Sequence, residues 1–164
     1  MTGLGREHYE ALVSALEQIM PAVVCQPLTL AELNDAAHPL YVCGTDTGIQ
    51  AGRLQLPHGT CVVLDESGMD EGQLNDAGVR NIRALFSLLQ QHTLPYVFPF
   101  SELDIPTDLV IIVVSQSKSL LPVDAHIHAQ PHQAPQMKVS SSMLHSFRLF
   151  LTNIRQKTLS FPVD

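Results

Sequence analysis

Three stretches of the chain carry apolar residues every three or four positions, which is the spacing of an amphipathic helix. The first predicts a helix over residues 6–20, which Pro21 ends because proline cannot continue it. The second follows a capping residue, Asn75 or Asp76, and predicts a helix that ends near Gln91. The third predicts a trailing helix over residues 140–158.

Two short runs are apolar at every position, a pattern typical of strands that are buried on both faces. The first run is Cys61-Val-Val-Leu64, bounded by Pro57-His-Gly59 before it and Ser67-Gly68 after it. The second run, residues 109–114, is mostly β-branched and predicts a central strand. A further short strand over residues 22–25 and a helical turn capped by Thr29 are predicted before them.

Weaker patterns predict the remaining strands. Residues 40–43 predict a short edge strand, and residues 49–56 predict a hairpin arm that leads into the strand at Cys61. Residues 94–100 alternate, but Pro99 indicates an edge or bulged strand, and residues 101–107 are predicted to be a turn. Residues 129–139 are rich in Gln, His and Pro and predict a linker. The order of these elements predicts an α/β layered core with a trailing helix.

Composition narrows the class of protein. The 164 residues are enough for one domain, and 45% apolar against 15% charged residues excludes a disordered tail. A formal net charge of -7 argues against a general nucleic-acid-binding surface. Three cysteines without C-x-x-C spacing argue against structural zinc and a disulfide scaffold, and favour a reducing, intracellular compartment. No apolar run reaches the length of a membrane span.

An acidic pair, Asp65 and Glu66, directly follows the apolar run at Cys61. Open α/β sheets bind their ligands at the carboxyl ends of their strands, and nucleotide hydrolases place a Walker B element there. In that element the Asp helps to hold magnesium and the next acid polarises the attacking water. The alternative is a strand that ends in two solvated acids. No G-x-x-x-x-G-K-[ST] string occurs in the chain, so a nucleotide's phosphates have no cradle.

Two other patterns carry weaker chemical signals. Ser115-Gln-Ser-Lys118 matches S-x-x-K, but that serine should open a helix, and neither S-D-N nor K-T-G follows. His126 and His128 would share one face of a strand and could ligate a metal together with His132. A polar exposed strand is the more typical interpretation of that spacing, and no metal site is predicted.

The sequence around the acidic pair resembles that of a known family. Residues 49–66 resemble the stretch before and through Walker B in the subunits of minichromosome maintenance (MCM) helicases. The closer resemblance is to the MCM-binding protein family, and it covers about residues 16–159. Glu71-Gly-Gln-Leu74 and Lys118-Ser-Leu-Leu-Pro122 are its most specific segments, and Phe147-Arg-Leu-Phe-Leu151 is also similar.

The resemblance implies an AAA-like core of the P-loop NTPase type, partial and without its phosphate loop. It assigns residues 1–128 to this core, 129–139 to the linker, and 140–164 to a C-terminal helix that starts the helical lid. Asp65 and Glu66 become a vestigial Walker B-like pair, and Ser115 and Gln116 a sensor-1-like loop. Family members extend further in both directions, so the resemblance also implies a fragment or a shortened product.

The resemblance further implies a non-catalytic MCM-complex-binding protein without a cofactor. Such a protein would act in DNA replication, through maintenance or unloading of the MCM complex, and in sister chromatid cohesion, in the nucleus. Direct sequence-specific nucleic-acid binding and membrane contact are not expected. Asp65, Glu66 and Asp124 are expected to face the arginine-bearing side of an MCM subunit. Two alternatives stay open, namely a residual nucleotide-binding ATPase domain and an inactive folded fragment of the family.

Overall fold

The structure, a computed structural model, describes residues 6–45, 47–128, 139–155 and 157. Its helices and strands follow the chain as α1 (Arg6–Ile19), β1 (Val23–Pro27), α2 (Leu30–Leu33), β2 (Val42–Thr45), β3 (Gly48–Gln50), β4 (Cys61–Asp65), α3 (Asp76–Gln91), β5 (Thr93–Phe98), β6 (Ser101–Pro106), β7 (Val110–Val114) and α4 (Ser141–Arg155). The predicted linker at residues 129–139 lies outside the described residues except for Val139. The predicted trailing helix is confirmed as α4.

A parallel sheet of three strands in the order β1-β4-β7 forms the first layer. Cys61 of β4 is paired with Val23 on one side and with Val110 on the other. The side chains of Cys61, Val62, Val63 and Leu64 are fully buried, which confirms the strand predicted to be buried on both faces. Because β4 has a neighbour on each side, it is the centre of this sheet.

The prediction that residues 109–114 form a central strand was wrong in position, although the strand itself is confirmed as β7. Among the described residues β7 pairs with β4 alone, so it is an edge strand, and residues 110–113 are only half-buried. An unbroken apolar run indicates that both faces of a strand are covered. It does not report how many strands lie beside it.

The second layer is a mixed sheet in the order β3-β2-β5-β6. Strands β2 and β3 form an antiparallel hairpin, β2 and β5 pair in parallel, and β5 and β6 form a second antiparallel hairpin. Four predictions were wrong here. Strands β2 and β5 are internal and not edge strands. Residues 101–106 form strand β6 and not a turn. The hairpin arm predicted over residues 49–56 is strand β3, which ends at Gln50.

The proline positions explain why β5 is internal. Pro99 lies beyond the end of β5, in the turn of the hairpin. Pro95 is opposite Asp104, one residue before the pairing with β2 begins at Tyr96. The Thr107 N–H donates to the His92 carbonyl at 2.8 Å, so the even-numbered residues of β5 make the hydrogen bonds to β6. Pro95 therefore lacks an N–H at a position where no ladder bond is required.

Strand β3 is short because the chain turns back after it. The N–H groups of Arg53 and Leu54 donate to the carbonyls of Pro39 and Leu40 at 2.9 and 3.1 Å. A Cβ atom at Gly52 would overlap the backbone carbonyl of Tyr41, so this close crossing requires glycine. The crossing buries Leu54 against the core, while Gln55 donates to the hydroxyl of Tyr96 at 3.1 Å.

The main core lies on one face of the parallel sheet, where Val62 and Leu64 pack with Leu85 and Leu88 of α3. Cys25 and Asp65 occupy the opposite face because side chains alternate along a strand. Helix α1 lies on that second face and also contacts α4. The guanidinium of Arg148 in α4 donates to the carbonyls of Glu17 and Gln18, which are acceptors left open at the end of α1.

Candidate functional site

The carboxyl edge of the parallel sheet is the place where the sequence-predicted site residues come together. Asp65 ends β4 and is half-buried. One carboxylate oxygen of Asp65 accepts a hydrogen bond from the N–H of Ser67 at 2.9 Å, and its backbone carbonyl accepts one from Leu28 at 2.8 Å. The carboxylate therefore stabilises the turn that follows β4.

Glu66 is a buried acid, and the residue is only 7% exposed. It continues the alternation of β4 and thus follows Val62 and Leu64 onto the core side of the sheet. Its N–H donates to the Val114 carbonyl at 2.9 Å, and its own carbonyl accepts from Met69 at 3.1 Å. Among the described residues its Oε1 atom has no hydrogen-bond partner. Two solvated acids, the alternative interpretation of this pair, are therefore not what the structure contains.

The loop after β7 lies beside the acidic pair. The register pairs Asp65 with Val114, so Ser115 follows directly at the level of Glu66. The hydroxyl of Ser115 accepts a long hydrogen bond of 3.4 Å from the N–H of Ser117, and Gln116 is exposed. Ser115 opens no helix, so the structure does not support the S-x-x-K interpretation of Ser115 and Lys118.

Asp124 is exposed in the segment after the buried Leu121. Within the described ranges no hydrogen bond or ion pair connects Asp124 to Asp65 or Glu66. The structure thus joins Asp65, Glu66 and Ser115 at one edge of the sheet, whereas Asp124 is placed near them by sequence reasoning alone.

Tyr9 of α1 is a neighbour of this edge that sequence reasoning did not single out. Burial raises the pKa of its hydroxyl above the ordinary value, and a hydrogen bond to Cys25 and the negative charge of Asp65 add to the shift. Its only signal in the sequence was its place in the apolar stripe of the first helix.

The described residues contain no group of three or more His, Cys, Asp and Glu side chains positioned to hold a metal ion. His126 and His128 are exposed, and His132 lies outside the described residues. Two shallow pockets, of about 230 and 370 Å³, lie between α3 and the β5–β6 hairpin and between α1 and α4. Neither pocket is lined by Asp65 or Glu66, and no helix in the described ranges is long and apolar enough to cross a membrane.

Comparison with known families matches residues 4–163 to the model of the mini-chromosome maintenance replisome factor family. The chain belongs to this family. It is 31% identical over 156 residues to the mini-chromosome maintenance complex-binding protein of Bos taurus and 30% identical to that of Homo sapiens. Each alignment covers 89% of this chain and 24% of the relative. A UPF0616 protein of Schizosaccharomyces pombe is 36% identical over 124 residues, covering 76% of this chain and 24% of the relative.

This membership agrees with the family resemblance carried by the segments at Glu71 and Lys118. The mammalian relatives are named as binding proteins and not as enzymes. The chain spans about a quarter of the length of these curated relatives. What the whole relatives bind is therefore a proposal for this chain.

Proposed function

We propose that this chain is a non-catalytic module that binds subunits of the MCM complex. The observation that carries the proposal is the family match over residues 4–163, together with relatives named as MCM complex-binding proteins. The biological setting that we propose is DNA replication and sister chromatid cohesion in the nucleus, where the module would help to maintain or unload the MCM complex.

We propose an AAA-like origin for the parallel sheet. Support comes from three parallel strands with an Asp-Glu pair at the end of the central strand and the Ser115–Gln116 loop at the end of its neighbour. The missing phosphate-loop sequence argues that the ATPase chemistry is absent. On this proposal Asp65 and Glu66 are a vestigial Walker B-like pair, and residues 140–164 begin a helical lid.

The proposed contact surface is the carboxyl edge of the sheet, with Asp65 and Asp124 facing arginines of an MCM subunit. Glu66 is too buried for a partner to reach, so its expected contribution is to the structure of the edge. Asp65 is half-buried, with one carboxylate oxygen bound to the N–H of Ser67, and Asp124 is exposed. An exposed carboxylate suits a guanidinium, which binds it with two parallel hydrogen bonds.

Capture of a purified MCM complex by the immobilised chain tests the proposal. The informative variant is Asp65→Asn with Asp124→Asn, because an asparagine amide at position 65 retains an oxygen for the N–H of Ser67. We expect the apparent Kd to rise roughly two- to thirtyfold, since exposed ion pairs contribute roughly 0.2–1 kcal/mol each. The matched control is Glu10→Gln with Glu17→Gln, which removes two charges from α1 and should leave capture unchanged.

Two results would contradict the proposal at different levels. No capture by the wild-type chain would show that MCM binding belongs to other parts of the relatives and would favour the inactive folded fragment. Full capture by the Asp65→Asn, Asp124→Asn variant would preserve MCM binding but move the interface away from this edge.

A residual nucleotide-binding domain is the second candidate function. The observation in its favour is the buried Glu66, whose Oε1 atom lacks a hydrogen-bond partner among the described residues, next to an acid at a sheet edge. The absent phosphate-loop sequence weighs against it, and direct binding of Mg–ATP separates the two candidates.

A further inference from the structure

Strand β7 has an open edge on the side away from β4. The N–H of Val110 donates to the Thr60 carbonyl at 3.0 Å, so the even-numbered residues of β7 make the hydrogen bonds to the β4 side. Backbone groups alternate in direction along a strand, and Ile111 and Val113 therefore direct their N–H and C=O groups outward. Among the described residues these outward groups have no hydrogen-bond partner.

The other open strand edges in the described part of the chain are protected against pairing with a further strand. In β1, Leu28 bonds to the β4 side, so Pro27 points outward without an N–H, and its carbonyl already accepts from the Gln26 side chain at 2.8 Å. Strand β6 directs Asp104 and Pro106 outward, and β3 is only three residues long. Proline, charge and short length are the usual protections of an edge strand. Strand β7 has none of them, because its five residues are all valine or isoleucine.

The surroundings of β7 select a partner strand that is apolar on both faces. Ile111 and Val113 pack against the main core, and Val110 and Ile112 are half-buried on the opposite face. A strand added beside β7 continues both of these faces, so a charged side chain on it would lose its hydration. No charged residue occurs in residues 109–117, and β7 of a second copy therefore meets the requirement.

Two β7 strands match each other in an antiparallel, symmetric register. When Ile112 lies opposite Ile112 of the second copy, Ile111 of each copy lies opposite Val113 of the other. Both of these residues direct their N–H and C=O groups outward, so the two strands exchange hydrogen bonds at these positions and satisfy the open groups of both copies. Ile112 then occupies a non-hydrogen-bonded position on the two-fold axis, where paired Cα atoms are about 4.5 Å apart.

The charges at the two ends of β7 favour the antiparallel direction. Asp108 precedes the strand, Lys118 follows it, and both residues are exposed. In an antiparallel pair Asp108 of each copy lies at the end where Lys118 follows β7 of the other copy. A parallel pair would instead bring the two Asp108 residues to the same end, and like charges opposite each other are destabilising.

We propose that two copies of the chain pair through their β7 strands, antiparallel and with Ile112 on the two-fold axis. The two parallel sheets then join into one continuous sheet in the order β1-β4-β7-β7-β4-β1. The same patch serves both copies, so the contact is isologous and closes as a dimer, without extending into a filament. The pairing is independent of the MCM-binding proposal, since neither Asp65 nor Asp124 takes part in it.

Charge complementation at the two-fold axis tests the pairing by analytical ultracentrifugation. We expect the wild-type chain to be a dimer, and Ile112→Lys and Ile112→Glu each to be a monomer when alone, because like charges would lie directly opposite each other. Both variants should stay folded, since water reaches this half-buried edge position once the copies separate. An equimolar mixture of the two variants should form the dimer again, because the opposite charges then attract. The control is Val79→Lys at a 57% exposed position of α3, which should dimerise like the wild type.

Hydrogen exchange of the wild-type chain is a second measurement that needs no variant. The N–H groups of Ile111 and Val113 should exchange slowly in the dimer, and their protection should fall as the protein is diluted and the dimer dissociates. Thermal melting checks that the charged variants are folded, and the exchange measurement decides if one of them is not. A monomeric wild type, a mixture of folded variants that stays monomeric, an Ile112→Lys variant that dimerises alone, or unprotected N–H groups at Ile111 and Val113 would each overturn the proposal.

Discussion

Asn81 is a fully buried amide in α3 whose hydrogen bonds join two segments far away in the sequence. Its Oδ1 accepts from the N–H of Leu40 at 2.8 Å, and its Nδ2 donates to the carbonyl of Leu33 at 2.8 Å. The N-cap of α3 adds to this connection. The side chain of Asn75 accepts a hydrogen bond from the N–H of Gly78, and Asn75 also forms hydrogen bonds with Asn34. A buried polar group of this kind stabilises the fold only while each of its partners is satisfied.

We expect Asn81→Leu to lower the free energy of unfolding by about 1–3 kcal/mol for each backbone group left unpaired. Urea denaturation measures this loss. The matched control is Asn153→Leu on the exposed side of α4, which should change stability by less than about 0.5 kcal/mol. Equal stability of the two variants would mean that Leu33 and Leu40 find other partners.

The strands differ in burial although their sequences look alike. Val63 of β4 and Ile112 of β7 are direct neighbours on the same face of the parallel sheet. Val63 is fully buried, whereas Ile112 is half-buried in the edge strand. The pair therefore separates the effect of strand position from the effect of residue type.

An aspartate at each position should give clearly different outcomes. We expect Val63→Asp to abolish cooperative folding, because an unpaired carboxylate would lie inside the central strand. Ile112→Asp should remain folded with a lower Tm, since water reaches the edge strand. Thermal melting followed by circular dichroism measures both variants. An unfolded Ile112→Asp variant would indicate that β7 is covered on its open side in solution.

At the scale of the whole molecule, the chain places an Asp-Glu pair at the carboxyl edge of a parallel sheet, and its sequence contains no G-x-x-x-x-G-K-[ST] string. We expect no change in Tm on addition of millimolar Mg–ATP. A ligand present at 100 times its Kd would add about 2.7 kcal/mol of stability, so micromolar binding would be visible in this measurement. A rise in Tm that disappears in Asp65→Asn would support the residual nucleotide-binding domain over the non-catalytic proposal.

The sequence by itself determined the elements with strong local patterns. Helices α1, α3 and α4 and strands β4 and β7 were predicted because helical spacing and unbroken apolar runs depend on nearest neighbours along the chain. The acidic pair at Asp65 was placed at a strand end for the same reason. The segments at Glu71 and Lys118 indicated the family, which the comparison confirmed.

The tertiary structure alone decided which strands are neighbours and which faces stay open. Strand β6 was missed because its alternation is limited to two apolar residues, Leu103 and Ile105, and all six of its residues are exposed. Its pairing with β5 is what defines it as a strand. The burial of Glu66 depends on the core that forms beneath β4 from α3 and the loops. The exposure of Leu103 in β6 and of Phe147 in α4 follows from the same cause, since a side chain's neighbours across the fold, and not those along the chain, decide whether it is covered.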